Sequence, residues 1–211
     1  MREEFLTRAD ADQHAGEYGE IIKGFNQTLD LVADKLYLYE STLDSIPFPI
    51  SVTDLDMNWL FLNQAVCDMT GLERDAMMGK PCNNWNADIC QTERCGIEML
   101  RAGNLTSYFK QPGMDMDFQV DTQFITDRNG EKIGHIEVIQ NITAANRVRD
   151  YQKNEVDRVA KALTELAQGN LDVDTAVAEA DQYTQETREV FLKIKESLDN
   201  TISAVRGMAE D

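Results

Sequence analysis

The cysteines are the residues of this chain whose spacing most suggests chemistry. Cys82, Cys90 and Cys95 lie within fourteen positions, and the fourth cysteine is Cys67. The spacing Cys-x7-Cys-x4-Cys differs from the paired Cys-x2-Cys of zinc ribbons and from the cysteine runs of ferredoxins. Three interpretations stay open: buried thiols that pack as small apolar groups, a redox or disulfide switch, and a metal site. A metal site would need a fourth ligand, and the candidates are Cys67, Asp88, Glu93 and His135.

Aromatic side chains form a second group of candidates, which could line a ligand cavity or pack in the core. His135 is the one histidine in the middle of the chain and would have to be the axial ligand of any haem. A strand histidine is more often a packed or solvated side chain, so we do not expect haem. The cavity candidates are Trp59, Phe61, Trp85, Phe109, Phe118, Phe124 and His135.

No sequence pattern points to catalysis. The chain has no glycine-rich phosphate loop, no histidine in a kinase-type phosphoacceptor phrase, and no histidine beside an evident nucleophile and orienting acid. We therefore expect a protein that is not an enzyme.

Charge and hydropathy exclude further classes. The chain of 211 residues has 38 acidic and 20 basic residues, a net charge of -18. The charge is spread evenly, with -6 over residues 1–46, -7 over 47–143 and -5 over 144–211. Without a basic cluster, binding to nucleic acid or to anionic lipid is not expected. No apolar run approaches the roughly 20 residues that span a bilayer, and the amino terminus lacks a signal-peptide pattern, so we expect a cytoplasmic location.

Two stretches repeat an apolar pattern of alternating steps of three and four, at a spacing of 169 residues. Ala11-Asp12-Gln13 corresponds to Ala180-Asp181-Gln182 in this repeat. Such a narrow stripe is typical of coiled coils rather than of helices docked on a globular core. The N-terminal stripe consists of Ile22, Phe25, Leu29, Val32, Leu36, Tyr39, Leu43 and Ile46, and the C-terminal stripe of Phe191, Ile194, Leu198, Thr201, Val205 and Met208.

A further helix is predicted before the C-terminal stripe, over residues 146–168, with apolar Val156, Val159, Leu163 and Leu166. Gly169-Asn170 predicts its end, and the alternating sequence from Leu171 to Val177 predicts an extended connector between two helices.

This order of elements resembles the HAMP domain of bacterial and archaeal receptors, as does Ala167-Gln-Gly-Asn-Leu-Asp-Val. In that family two helices per chain run parallel and dimerise into a four-helix bundle. The usual proline of the first helix is missing, and Asp181-Gln182-Tyr183-Thr184 replaces the usual opening of the second. Because residues 11–13 correspond to residues 180–182 in the repeat, residues 10–36 resemble the second helix of a partial HAMP domain. The resemblance implies packing roles for Gly169, Leu171, Val173, Phe191, Ile194 and Leu198.

The middle of the chain has a different pattern. Strands are predicted over residues 49–54 and 59–63, joined by the turn 54–58, and helices over 64–70, ended by Gly71, and 92–102. Three more strands follow over 105–111, 116–126 and 132–141. The prediction is an α+β fold, an antiparallel five-stranded sheet with helices on one face.

This order is that of the PAS fold, and several phrases resemble that family. They include Asp44-Ser-Ile-Pro47, Val52-Thr-Asp-Leu-Asp, Phe61-Leu-Asn-Gln-Ala65, Gly79-Lys-Pro-Cys82 and Asn141-Ile-Thr143. Asn141 stands where the family usually has Asp. In the light-sensing LOV relatives, a flavin-reactive cysteine occupies the place of Cys82, but Asn83-Asn84-Trp85 lacks the Arg and Gln that hold flavin. Flavin is therefore not expected.

Together the resemblances imply a sensory and relay segment of a chemoreceptor of the methyl-accepting type. The expected domains are a partial HAMP helix and linker coiled coil (1–43), a PAS domain (44–143) and a HAMP domain with a signalling helix (144–207). The alternatives are the same array in a sensor histidine kinase and a structural dimerisation rod with an unliganded PAS domain. We expect a homodimer that acts on a downstream signalling domain and, through it, on a histidine kinase complex. The expected coupling residues are Leu43, Ile46, Asn141, Thr143, Val156 and Val159.

Overall fold

The computed structural model describes residues 7–14, 16–111, 113 and 115–210, apart from the side chains of 209 and 210. The chain divides into two compact units. The first contains the residues up to Tyr108 and Val120–Gln140, and the second contains Phe109–Gln119 and the residues from Asn141 onward. The helices are α1 (Glu17–Asp44), α2 (Gln64–Thr70), α3 (Arg74–Met77), α4 (Gly96–Arg101), α5 (Thr143–Ala167) and α6 (Gln185–Glu210), with short 3-10 helices at Ala11–Gln13 and Cys82–Trp85.

Five strands form one antiparallel sheet in the order β2-β1-β5-β4-β3. The first hairpin therefore pairs with the last strand of the sheet. The strands are β1 (Ile50–Thr53), β2 (Trp59–Leu62), β3 (Thr106–Lys110), β4 (Asp117–Thr126) and β5 (Lys132–Asn141). Each agrees with its predicted strand to within one residue at either end, which confirms the α+β prediction.

The register of β1 and β5 decides which side chains face the interior of the first unit. Ser51 lies opposite Glu137, and Thr53 lies opposite His135, so these four side chains share one face of the sheet. Ser51, Thr53 and His135 are buried. The interior next to this sheet is therefore polar as well as apolar.

An apolar cluster covers the β2 side of the same unit. Trp59 and Leu62 pack with Val66 of α2 and Met77 of α3, and all four are buried. Trp85 and Cys82 of the 3-10 helix pack against this cluster. Gly71 ends α2 in the left-handed conformation, with φ of +71°, as predicted.

A single buried amide, Asn63, joins α1 to the sheet and to α2. It is fully enclosed, and its two polar atoms bond to five backbone groups in α1, in the segment that leads into β1, in β1 and in α2. Its Oδ1 accepts from the N–H of Ile50 (2.8 Å) and Val66 (3.3 Å), and its Nδ2 donates to the carbonyls of Leu43 (3.1 Å), Ile46 (3.3 Å) and Phe48 (2.9 Å). The end of α1, the start of β1 and the start of α2 are thereby held together.

Helix α4 begins four residues later than predicted. Gln91 has a φ of +60°, which interrupts helical backbone. The Thr92 hydroxyl then donates to the Ile89 carbonyl (2.8 Å) and accepts from the Arg94 N–H (3.1 Å). These side-chain bonds form a local turn that competes with helix formation, so the helix starts only at Gly96.

The second unit contains two helices and a connector. Gly169, with φ of +88°, ends α5 as predicted, and the connector that follows is neither helix nor strand. Tyr151 of α5 and Phe191 of α6 make an edge-to-face contact with ring centroids 6.5 Å apart. Residues Leu171, Val173, Thr175 and Val177 are half-buried and alternate with exposed residues, as the sequence predicts. No helix in the described part of the chain is both long enough and apolar enough to cross a membrane.

Polar side chains of α5 and α6 anchor this connector. The Tyr151 hydroxyl (2.7 Å) and the Arg188 Nε (3.0 Å) both donate to the Ala178 carbonyl. The Ala178 N–H donates to the carboxylate of Glu155 (3.3 Å), which is almost fully buried. Sequence analysis did not single out Glu155, because a charged residue at a helical position usually faces solvent.

We expect Asn63→Ala to lower the free energy of unfolding by about 2–4 kcal/mol, because it leaves several buried backbone groups without partners. Asn104→Ala is the matched control, since Asn104 is exposed and such changes usually stay within about 0.5 kcal/mol. Urea unfolding followed by circular dichroism gives both values. Equal effects of the two substitutions would contradict the joining role of Asn63.

Candidate functional site

Cys82, Cys90 and Cys95 line a single pocket of the first unit, with a volume of about 820 Å³. Met57 and Met99 line the same pocket, so five sulfur-containing side chains surround it. We call this pocket, defined by these five residues, the sulfur pocket. Cys67 lies on α2 and is not among its lining residues.

Two backbone hydrogen bonds fix the local structure around four of these residues. The backbone N–H of Cys82 donates to the carbonyl of Met57 (2.8 Å), which ties the 3-10 helix to the β1–β2 turn. Cys95 immediately precedes α4, and the N–H of Met99 donates to its carbonyl (2.8 Å). Cys95 and Met99 both line the pocket, from just before α4 and from within it.

The thiols of the sulfur pocket are protonated at neutral pH. Burial raises the pKa of Cys82 to about 12, and burial also raises the pKa values of Cys90 and Cys95. The carboxyl group of Glu137 contributes to the increase in pKa for all three. All four cysteines are free thiols. The described residues include no group of three or more His, Cys, Asp or Glu placed to hold a metal ion.

Glu137 is a functional candidate that sequence analysis missed. It is half-buried on β5, and its Oε2 lies 3.5 Å from the Ser51 hydroxyl, its one hydrogen-bond donor among the described residues. Gly96 packs so closely that a Cβ there would lie 2.6 Å from Oε1 of Glu137 and 2.7 Å from Oγ1 of Thr122. Burial raises the pKa of Glu137 to about 7. Side chains two residues apart on a strand share a face, so the predicted strand places Glu137 on the same face as His135. This pattern could have identified Glu137 as a candidate from the sequence.

Three buried polar atoms in this part of the sheet have no hydrogen-bond partner among the described residues. They are the hydroxyl oxygens of Ser107 and Thr122 and the Nε2 of His135. The Nδ1 of His135 is used, since it lies 3.1 Å from both the Thr53 hydroxyl and the Asp54 carbonyl. Burial lowers the pKa of His135, so the ring is neutral at pH 7. Such groups usually find a partner, and a polar ligand or water could supply it.

The aromatic cavity candidates are not brought together. Trp59 and Trp85 belong to the apolar cluster at β2. Phe61 lies 5.1 Å below the guanidinium of Arg74, and the ring of Phe124 lies 5.3 Å from that of His135. In the second unit, Phe109 and Phe118 stack on each other at 5.0 Å. Most of these rings fill the interior because burial of their large apolar surface dominates their placement.

The predicted exit residues Asn141 and Thr143 form the junction at which β5 becomes α5. Oδ1 of Asn141 accepts from both the N–H (3.0 Å) and the hydroxyl (2.6 Å) of Thr143. The Thr143 hydroxyl in turn accepts from the N–H of Asp117 (2.9 Å). The Asp117 carbonyl accepts from Ile142 (2.9 Å), and its carboxylate accepts from the side chain of Asn146 (3.1 Å). This bond to Asn146 is the main cause of the lowered pKa of Asp117. The first turn of α5 is thus bonded to the first residue of β4.

The remaining coupling and packing candidates differ in burial. Leu43 and Ile46 are half-buried at the end of α1, where their carbonyls accept from Asn63. Val156 of α5 is exposed, and Val159 is half-buried. On α6, Phe191 is buried, Leu198 is half-buried and Ile194 is exposed.

We expect Glu137→Gln to remove a pH dependence of stability. The pKa of Glu137 is about 7 in the folded protein, above its ordinary value of 4.5, so ionisation costs stability as pH rises between these values. Wild type should therefore lose roughly 2–3 kcal/mol from this group between pH 5 and pH 8, and the variant should not. Urea unfolding at both pH values measures the difference.

The matched control is Glu131→Gln, in the exposed turn between β4 and β5. It should keep the wild-type difference between pH 5 and pH 8. A Glu137→Gln variant with the same pH dependence as wild type would show that this carboxyl titrates normally.

Comparison with known proteins gives a partial match by sequence and a broader one by structure. The family model described as the PAS fold matches residues 37–89. No curated protein sequence matches the chain. The PAS domain of BvgS from Bordetella pertussis is 23% identical, with coverage of 56% of this chain and 96% of that chain and a TM-score of 0.39.

Two other solved structures are similar at this level. The PAS domain of an HTR-like protein from Haloarcula marismortui is 16% identical, over 57% of this chain and 99% of that one, with a TM-score of 0.41. A sensory box sensor histidine kinase from Vibrio cholerae is 15% identical, over 54% and 97%, with a TM-score of 0.38. The PAS family model matches residues 37–89, and the chain forms the five-stranded antiparallel sheet with helices that this resemblance predicted. The central domain of this chain therefore has the PAS fold.

Proposed function

We propose that this chain is a sensory and relay segment of a chemoreceptor-type transducer, located in the cytoplasm. In this proposal the PAS domain responds to a small ligand or to redox state. The response passes through α5 to a HAMP bundle, which the second unit forms with a second copy of the chain. The junction between β5 and α5 is the observation that carries the proposal.

The junction supports a relay because hydrogen bonds within the second unit join the last residue of β5 and the first residue of β4 to the first turn of α5. Asn141 and Thr143 bond to each other, and Thr143 and Ile142 bond to Asp117. A displacement of Asn141 or Asp117 would therefore be transmitted to the first turn of α5. In a HAMP bundle with two packing states, such a displacement would change the fraction of molecules in each state.

The polar interior of the first unit supports a sensory role. The hydroxyls of Ser107 and Thr122 and the Nε2 of His135 are buried and lack partners among the described residues. A ligand that supplies those partners would favour the conformation to which it binds. The change would arise on β4 and β5, the strands that carry Thr122 and His135.

Exposed apolar side chains on the helices support a homodimer. Phe25, Val32, Leu36 and Tyr39 of the N-terminal stripe are exposed on α1. Val156 and Leu163 on α5 and Ile194 and Val205 on α6 are exposed as well. A soluble chain rarely leaves so many large apolar residues uncovered along heptad positions, and a second copy in parallel would cover them.

We expect Leu36→Glu to weaken dimerisation at least tenfold, because it places a charge in the apolar stripe of both copies. Leu55→Glu is the matched control, since Leu55 is equally exposed but lies in the β1–β2 turn. Sedimentation equilibrium measures the dissociation constant of each variant. A dimer that tolerates Leu36→Glu as well as Leu55→Glu would contradict the helical interface.

We expect Thr143→Val to uncouple α5 from the sheet in the full-length protein, because the valine keeps the side-chain shape but cannot accept from Asp117. Crosslinking between two copies through Val156→Cys reports the packing of α5. Its rate should change at least threefold with Thr143→Val. The control Thr164→Val, on an exposed part of the same helix, should leave the rate unchanged. An unchanged rate with Thr143→Val would refute the relay.

A further inference from the structure

The sulfur pocket lies where the β1–β2 turn, the 3-10 helix at Cys82–Trp85, the loop after it and α4 meet. None of its twelve lining residues belongs to the five strands. The buried hydroxyls of Ser107 and Thr122 and the Nε2 of His135 are therefore not part of it. Its volume of about 820 Å³ falls within the range of roughly 300–1,000 Å³ that is typical of small-molecule pockets. The pocket is large enough for a small organic ligand and separate from the polar interior of the sheet.

Two of the lining residues have a strained backbone. Met57 and Gln91 adopt the left-handed conformation, with φ of +66° and +60°. Among the described residues other than glycine, only Asn86 shares it, and asparagine adopts it more readily than methionine or glutamine. Such strain is concentrated at functional sites, where the surrounding structure enforces it. At Met57 it is enforced by hydrogen bonds, since the N–H donates to Asp54 (3.2 Å) and the carbonyl accepts from Cys82 (2.8 Å).

The charged groups at the pocket are already paired or solvated. The carboxylate of Glu98 accepts from Arg101 (2.9 Å), and the guanidinium of Arg94 lies 3.5 Å from the carboxylate of Asp88. The remaining lining charge, Glu93, is exposed, and a solvated carboxylate attracts a cation only weakly. A charged ligand would lose hydration on entering the pocket without gaining a close partner of opposite charge, which is costly. The pocket therefore favours an uncharged ligand.

The sulfur atoms of the pocket suit an aromatic ring. Thiol and thioether sulfur is polarisable and makes favourable contacts with the edges of aromatic rings. The sulfur of Met57 already accepts from the guanidinium of Arg101 (3.8 Å), so contacts with a ring fall to Met99 and to the three thiols. These thiols are uncharged at neutral pH, and the unbranched side chain of Met99 can adapt to the shape of a ring.

One lining amide is available for a polar group of the ligand. The side chain of Asn83 is half-buried and makes no hydrogen bond to any described residue. That of the next residue, Asn84, donates to the Pro81 carbonyl (2.7 Å). The hydroxyl of Thr92 is also occupied, by Ile89 and Arg94. A partly buried amide without a protein partner gains from a ligand that supplies one, so one hydrogen-bonding group is expected on the ligand.

We propose that the sulfur pocket binds an uncharged aromatic molecule that carries one hydrogen-bonding group, as a phenol does. The ring lies against Met99 and the side chains of Cys82, Cys90 and Cys95, and the polar group bonds to the amide of Asn83. This inference rests on the proposed function only in making the molecule the stimulus. Binding itself does not require the relay.

Gly96 connects the pocket to the sheet. It follows the lining residue Cys95, and a Cβ at this position would lie 2.6 Å from Oε1 of Glu137 and 2.7 Å from Oγ1 of Thr122. The backbone at Gly96 is therefore in close contact with side chains of β4 and β5. A ligand that displaces Cys95 would move these side chains as well.

The test is isothermal titration calorimetry of the reduced, full chain with 2-naphthol and two probes of similar shape. We expect 2-naphthol to bind saturably, at one molecule per chain. The anion 2-naphthoate and the saturated alcohol decahydro-2-naphthol should each bind at least threefold more weakly, because one is charged and the other has no aromatic ring. Failure of 2-naphthol to bind, or equally tight binding of either other probe, would overturn the proposal.

Variants locate the site. Asn83→Ala should weaken the binding of 2-naphthol about fivefold through the loss of a neutral hydrogen bond, and Met99→Ala at least threefold through the loss of ring contacts. The matched controls are Asn104→Ala and Met69→Ala, which change exposed residues outside the pocket and should alter binding less than twofold. Losses no larger than those of the controls would refute the site.

A second measurement does not depend on whether the variants fold. In amide NMR spectra of the wild-type chain, 2-naphthol should shift the resonances of residues 82–83 and 90–95 most, and larger shifts elsewhere would refute the site. The outcomes also separate binding from relay. If 2-naphthol binds as expected but leaves the Val156→Cys crosslinking rate unchanged, the site stands and its occupant is not the stimulus. If 2-naphthol fails to bind while Thr143→Val still alters crosslinking, the site is refuted and the relay stands without it.

Discussion

The buried amide of Asn63 is the interaction on which the arrangement of the first unit depends. Neither polar atom of this side chain can reach water, so each must be paired with protein groups. The groups available are backbone atoms at the end of α1, the start of β1 and the start of α2, and Asn63 bonds to all of them. Asp44 adds to this joint, since its carboxylate accepts from the Gln64 N–H (2.9 Å) and pairs with Arg74. The direction in which α1 leaves the sheet is therefore set by hydrogen bonds rather than by apolar contact alone.

The start of α5, in the second unit, is held by hydrogen bonds between other residues. Thr143, Asn141 and Asp117 exchange side-chain and backbone hydrogen bonds at the first turn of the helix. A hydrogen-bonded joint is directional, whereas apolar packing tolerates rotation. A helix held in this way can report a change in strand position, which is what a relay requires. The account of function therefore depends more on these few polar contacts than on the size of any cavity.

Much of this structure could be predicted from the sequence, because strand alternation and glycine positions carry strong local signals. The five strands, Gly71 and Gly169 are at their predicted places. The start of α4 was predicted wrongly, since the turn at Gln91 and Thr92 depends on side-chain bonds that periodicity does not register. Glu137 and Glu155 were missed because a glutamate on a predicted strand or helix is normally expected to face solvent. Cys82, Cys90 and Cys95 were recognised as candidates, but the addition of Met57 and Met99 needed the fold, since Met57 lies 25 residues before Cys82 in the chain.

Amide hydrogen exchange at the strand-to-helix junction tests the central claim most directly. The N–H of Ile142 donates to Asp117, and the N–H of Asp117 donates to Thr143. The account predicts that these two amides exchange as slowly as that of Ile139 within β5, which donates to Pro49 (2.9 Å). Exchange as fast as that of Asn129, in the exposed β4–β5 turn, would mean that the junction opens freely and cannot relay a signal.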